Sequence, residues 1–178
     1  MSHLIIKEWK SLQEKILVRR NLINSLELSL ALLGWALKFK KSNNEVICNL
    51  YADYFKYYER LNPHDYNFHK KWYDLDELLD TILGTNTNDY RRPIVIVRDI
   101  LWEIIAFKTD ILCENCGQDE YRLFESLQNS QDLVLCCDNC SHTIGLNNEF
   151  PQDIPNKYIP VKKNNLQLSK FNPSNFAD

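Results

Sequence analysis

The chain has 178 residues, of which 44% are apolar, 12% aromatic and 25% charged. That composition can bury one medium domain, or one domain plus a small module, and it excludes a disordered chain. Only 4 Gly and 6 Pro exclude collagen-like and linker-like classes, and a net charge of −3 argues against a broadly basic nucleic-acid binder.

Residues 4–108 read as mostly helical. Leu4, Ile5, Trp9, Leu12, Ile16 and Val18 mark a first amphipathic helix. It ends near Arg19-Arg20 or runs on into Leu22–Phe39. That second segment is apolar and flanked by basic pairs, the outline of a membrane span. Glu27 in mid-segment argues against one, because a lone carboxylate is costly in hydrocarbon. We read the segment as a helix buried in a protein core. Its Leu and Ala content outweighs the strand-like alternation of Leu26, Leu28, Leu30 and Leu32. Ser42 with Glu45 is a capping-box pattern opening a third helix, which Asn62-Pro63 stops. A fourth stripe runs Phe68, Trp72, Leu75, Leu79, Ile82, with Gly84 expected just past its end as C-cap. Pro93 suits the first position of a last helix traced by Ile94, Val97, Ile100, Leu101, Ile104, Ile105 and Lys108, or a β-branched strand at its start. Leu12, Ile16, Leu26, Leu30, Leu33, Trp35, Leu50, Tyr54, Trp72, Leu79, Ile100 and Ile104 are the expected core.

Short strands follow, at Asp110–Leu112, Tyr121–Phe124 and Asp132–Leu135. From Asn147 onward Pro151, Pro155, Pro160 and Pro173 sit among asparagines, the composition of an extended tail packed along the domain. The fold class expected is α+β: a helical domain over 1–109, a small metal-bound β module over 110–146, and an extended tail over 147–178.

The most informative count is cysteine. Five of the 6 fall between Cys113 and Cys140. Cys113-Glu114-Asn115-Cys116 and Cys137-Asp138-Asn139-Cys140 are two Cys-x2-Cys pairs, the spacing with which a tight knuckle offers two sulfurs to one zinc ion. No signal-peptide pattern opens the chain, so a cytoplasmic location is expected, where thiols stay reduced and metal ligation is favoured over disulfides. Cys136 is an alternative to Cys137 as third ligand, and His142 a less favoured substitute for Cys140. Cys137 is preferred because its spacing matches the first knuckle. Cys48 reads as a buried thiol.

The stretch Leu112–Gly145 resembles the zinc-ribbon family, through Cys113-Glu114-Asn115-Cys116-Gly117 and Cys137-Asp138-Asn139-Cys140. The resemblance covers about a fifth of the chain. It implies a β-hairpin module holding one structural zinc on Cys113, Cys116, Cys137 and Cys140. Ribbons often place glycine after each knuckle; here Ser141 follows the second. Members bind nucleic acid, bind protein or act as struts, so the resemblance does not choose among these.

Little else offers chemistry. His64 and His69 lack the spacing of a helical metal pair, and Asp74, Asp76, Glu77 and Asp80 read as helix-start carboxylates. No phosphate loop or nucleophile elbow is present, so no enzyme is expected. Charge decides between partners. Residues 1–112 carry 16 Lys+Arg against 15 Asp+Glu, and residues 113–178 carry 5 against 9. Within 113–146 Arg122 is the only cation, against Glu114, Asp119, Glu120, Glu125, Asp132 and Asp138. Such a module repels phosphates and suits a basic protein partner, with Glu114, Asp119, Glu120 and Asp138 as candidate contacts. A small, acidic, aromatic-rich chain with a structural zinc resembles, at the level of class, a bacterial immunity protein that neutralises a basic, nuclease-like toxin. The alternative is a nucleic-acid-associated regulator whose helical domain binds and whose ribbon is a strut.

Overall fold

The computed structural model describes residues 2–41, 45, 49, 56–66, 68, 73–86, 89–128, 132–146 and 158–168. The chain is α+β and divides into two compact units. One comprises Met1–Pro63 with Phe68–Ile104, and the other His64–Asn67 with Ile105–Asp178. Among the described residues, no helix is long and apolar enough to cross a membrane.

In the first unit, helix α1 (Ser2–Arg19) ends at the basic pair rather than continuing. It buries Ile5, Trp9, Leu12 and Ile16, the i, i+4, i+7 stripe of an amphipathic helix. Leu4 and Val18, expected on that stripe, are exposed. Helix α2 (Ser25–Leu37) opens on a reciprocal cap: Asn24 Oδ1 accepts from the Glu27 N–H at 3.0 Å, and Glu27 accepts from the Asn24 N–H at 3.1 Å. Glu27, the residue that argued against a membrane span, is thus a capping carboxylate, further held by Arg19 at 2.6 Å. The buried face carries Leu28, Leu32, Leu33, Trp35 and Ala36 together with Ser25 and Ser29. Leu30 is exposed and Leu26 half-buried, a correction to the expected core. The i, i+4, i+7 stripe of Leu26, Leu30 and Leu33 marks a face offset from the buried one, which is centred on Leu28, Ser29 and Leu32. Ser29 is buried because its hydroxyl donates to the Ser25 carbonyl at 2.8 Å. Trp9, Trp35 and Phe39 stack edge to face, with centroids 5.5 and 4.9 Å apart.

Helix α3 (Leu75–Gly84) is N-capped by Asp74 and buries Leu79 and Ile82. Gly84 is its last residue, and the cap is Thr85 in extended conformation. No left-handed glycine is needed there. The Gln13 amide donates to the carbonyls of Ile82 and Thr85, and the Thr85 hydroxyl donates to Thr81 O. Helix α4 (Arg91–Ile105) starts two residues before Pro93, because the Asp89 carboxylate accepts the Arg91 N–H at 2.9 Å. Pro93 stays within the first turn, where a missing N–H costs nothing. Ile100 and Ile104 are buried as expected, while Lys108 lies in a strand. Most of the expected third helix lies outside the described residues, as do Cys48, Leu50, Tyr54, His69 and Trp72; Lys56–Arg60 within it is a 3-10 turn.

The second unit is an antiparallel sheet. Strands β1 (Phe107–Leu112), β2 (Glu120–Ser126), β3 (Leu133–Cys137) and β4 (Thr143–Gly145) are neighbours in sequence order. Strand β5 (Tyr158–Pro160) pairs with Phe124–Ser126 of β2. Strand β3 covers one edge of β2 over Tyr121–Glu125, so β1 and β5 share the other edge end to end. Strands β4 and β5 and a final short helix α5 (Lys163–Leu168) were not expected. The last two give structure to part of the proline-rich tail. Pro160 is tolerated because β5 is an edge strand. Glu125, buried in β2, accepts from the Lys162 N–H at 3.0 Å and the Asn165 amide at 2.6 Å, which ties the start of α5 to the sheet. Asn24→Ala should remove the α2 cap and cost about 1 kcal/mol, read as a lower urea midpoint with unchanged slope.

Candidate metal centre

Each cysteine pair sits at the tip of a hairpin. The Cys113–Cys116 knuckle closes the turn from β1 to β2, with the Cys113 N–H donating to Asp119 O at 2.8 Å. The Cys137–Cys140 knuckle closes the turn from β3 to β4, with the Cys137 N–H donating to His142 O at 2.9 Å. The two turns share a backbone design. Gly117 N–H donates to Cys113 O at 2.8 Å and Ser141 N–H to Cys137 O at 2.9 Å. Gly117 has φ 60° and Ser141 φ 58°. Ser141 therefore takes the left-handed conformation that glycine takes in the first knuckle. The departure from the ribbon pattern is one of residue type and not of backbone.

The sulfurs of Cys113, Cys116, Cys137 and Cys140 all lie within 4.8 Å of one another. The close pairs join the two knuckles: Cys113 to Cys140 at 3.5 Å and Cys116 to Cys137 at 3.7 Å. A tetrahedron with metal–sulfur bonds of about 2.3 Å has sulfur–sulfur edges of about 3.8 Å. The spacing and the all-sulfur donor set thus fit one zinc ion, in a zinc-ribbon-like module. Register explains why Cys136 stands apart. Cys137 lies opposite Tyr121 and Cys136 opposite Arg122, on the other face of β3. Its sulfur meets the Cys137 carbonyl at 3.9 Å, and burial raises its pKa.

Hydrogen bonds prepare the cluster unequally. Burial opposes ionisation of Cys113, but the Cys116 N–H, the Tyr121 hydroxyl and the Asn115 N–H outweigh it and bring its pKa to about 5. The Gln118 N–H leads the groups that lower Cys116. Burial pushes Cys137 up to about 12 against the N–H groups of Cys140 and Asn139, so metal binding near neutral pH displaces a proton from it.

The surroundings hold residues that sequence reasoning passed over. Tyr121 is buried, accepts the Glu114 N–H at 3.3 Å and lies 2.7 Å from His142 Nδ1. His142, expected on the surface, is half-buried in this role. Lys108, just outside the stretch whose charge was counted, pairs with Asp119 at 3.1 Å and Glu120 at 2.9 Å. Arg122 is buried, pairs with Asp138 and donates to Ala106 O at 3.1 Å. Three of the four acidic candidates, Asp119, Glu120 and Asp138, are thus engaged within the unit. Glu114 is exposed and makes no ion pair among the described residues. The only advance signal for this shell was the repeated acid-Asn pair inside each knuckle. Elsewhere, Asp74 caps α3 and Asp76 and Glu77 lie in its first turn, as expected of helix-start carboxylates, whereas Asp80 lies farther along and pairs with Arg20 at 2.7 Å.

Comparison with protein-family models, with characterised proteins and with solved structures returns no match to this chain.

Purified protein should carry about one zinc per chain by elemental analysis. Cys137→Ser should lose it and unfold the sheet, whereas Cys136→Ser should keep it; zinc retained by a Cys113/Cys137 double serine variant would overturn the ligand set. The backbone match gives a second test. Gly117→Ala meets nothing within 4 Å at its new Cβ, so its cost should be the left-handed penalty alone, about 1–2 kcal/mol. Ser141→Gly should stabilise by up to about 1 kcal/mol, and thermal unfolding of the zinc-loaded chain reads both signs.

Proposed function

We propose that the chain is a protein-binding module whose structural zinc centre presents an acidic, partly apolar rim to a cationic protein. The finer reading is inhibitory binding, in the manner of an immunity protein that neutralises a basic, nuclease-like toxin. The observation that carries the proposal lies at the first knuckle. Ile111 and Leu112 are 42% and 58% exposed, and exposed Asp110 and Glu114 flank them. Neither carboxylate makes an ion pair among the described residues. Lys108 and Arg122, the nearby cations, are turned inward onto Asp119, Glu120 and Asp138. A zinc ion with four thiolates is dianionic and adds to the field at that rim. Apolar contact area bordered by free carboxylates matches a partner segment of apolar and basic residues, and it disfavours phosphate. The inhibitory part rests on the class-level likeness alone.

Affinity capture with the zinc-loaded chain as bait should retain a basic protein, and the retention should weaken as salt is raised. Glu114→Lys and Leu112→Asp should each weaken binding of that protein about tenfold or more, with zinc content unchanged. Retention of nucleic acid in a salt-dependent way, with no basic protein, would reject this reading in favour of the nucleic-acid one.

A further inference from the structure

We propose that Asn115 and Asn139 form a reciprocal amide clamp, each reaching from its own knuckle to the other, Asn115 to Cys140 and Asn139 to Gln118, that sets the two cysteine pairs around the metal and draws charge from the Cys140 thiolate. The inference rests on the metal-centre reading and concerns residues that are not ligands.

The geometry begins with sequence symmetry. Both knuckles read cysteine, acid, asparagine, cysteine. Both are followed by a residue in the left-handed conformation, so the two asparagines occupy equivalent positions on equivalent turns. From the first knuckle, Asn115 Nδ2 donates to Cys140 Sγ at 3.5 Å, a normal length for a bond to sulfur. From the second, Asn139 Nδ2 donates to Gln118 Oε1 at 2.9 Å, beside Cys116 on the opposite knuckle.

Placement supplies the reason. Cys140 Sγ takes an N–H from the opposite knuckle, and the Gln118 side chain takes one from Asn139. Both asparagine bonds cross from one knuckle to the other, as do the close sulfur pairs. The clamp therefore acts on the one geometric variable that a single knuckle cannot fix, the separation of the two turns. It also places amide dipoles against a dianionic centre, where partners outside the ligand set govern metal affinity and sulfur electron density.

The test uses the full chain loaded with cobalt(II), whose thiolate-to-metal charge-transfer band reports electron density on sulfur. Asn115→Ala and Asn139→Ala should each lower cobalt affinity about tenfold in competition with a chelator, and the double variant about a hundredfold. The band should move to lower energy in Asn115→Ala, because a thiolate stripped of an N–H donor gives up its electron more readily. Asn115→Asp, which keeps the shape and removes the donor, should shift the band at least as far as Asn115→Ala. Asn164→Ala, on α5 away from the knuckles, should match the wild type in both readouts. Variants that bind cobalt with wild-type affinity and an unmoved band would overturn the clamp while leaving the metal centre intact. Affinity lost by Asn115→Ala with an unmoved band would reduce the asparagines to packing and overturn it equally. A wild-type chain that binds no cobalt would remove the metal-centre reading, and the clamp with it.

Discussion

Four cysteine sulfurs lie within 4.8 Å of one another, a spacing at which four thiolates repel unless a cation stands at their centre. The rest of the β unit follows from this constraint. A sheet of short strands has a small core, here centred on Tyr121, Leu123, Phe124, Val134, Leu135 and Ile159. Apparent zinc free energies of about 10–16 kcal/mol are large beside what such a core supplies. Both hairpins end in the cysteine cluster, so a bound ion would fix their register at the tips by ligand geometry as well as along the strands by pairing.

The charge of that centre explains the polar residues around it. Lys108 holds Asp119 and Glu120, and Arg122 holds Asp138, so carboxylates within the hairpins are neutralised before they add to the thiolate charge. Burying Arg122 is tolerable because its guanidinium finds both a carboxylate and the Ala106 carbonyl. At the first knuckle, Asp110 and Glu114 are exposed and make no ion pair among the described residues.

The ligand cysteines were legible because a tetrahedral ion imposes a spacing that sequence displays directly. The α+β order was legible because helical periodicity gives way to short apolar runs near residue 107. Other features were hidden for physical reasons. Helix α2 carries its longest leucine stripe off the buried face, and that face includes Ser25 and Ser29, which spacing treats as polar. The left-handed turn at Ser141 is a backbone property that serine does not advertise. The pairing of Lys108 with Asp119 and Glu120 depends on register between β1 and β2, where an irregularity between Lys108 and Leu112 breaks simple counting. Strand β5 is three residues long and contains a proline, which reads as loop until an open sheet edge is there to receive it.

That open edge has a consequence for association. All four clustered cysteines belong to the β1–β2 and β3–β4 hairpins, so their placement is separate from the pairing of residues 158–165 with the sheet. Without that segment the half of β2 beyond Leu123 would lack a neighbour on one side, and the Glu125 carboxylate would lack the donors that accompany its burial. One short segment meets both needs, and a chain that loses it would present an unpaired strand edge that other chains can reach.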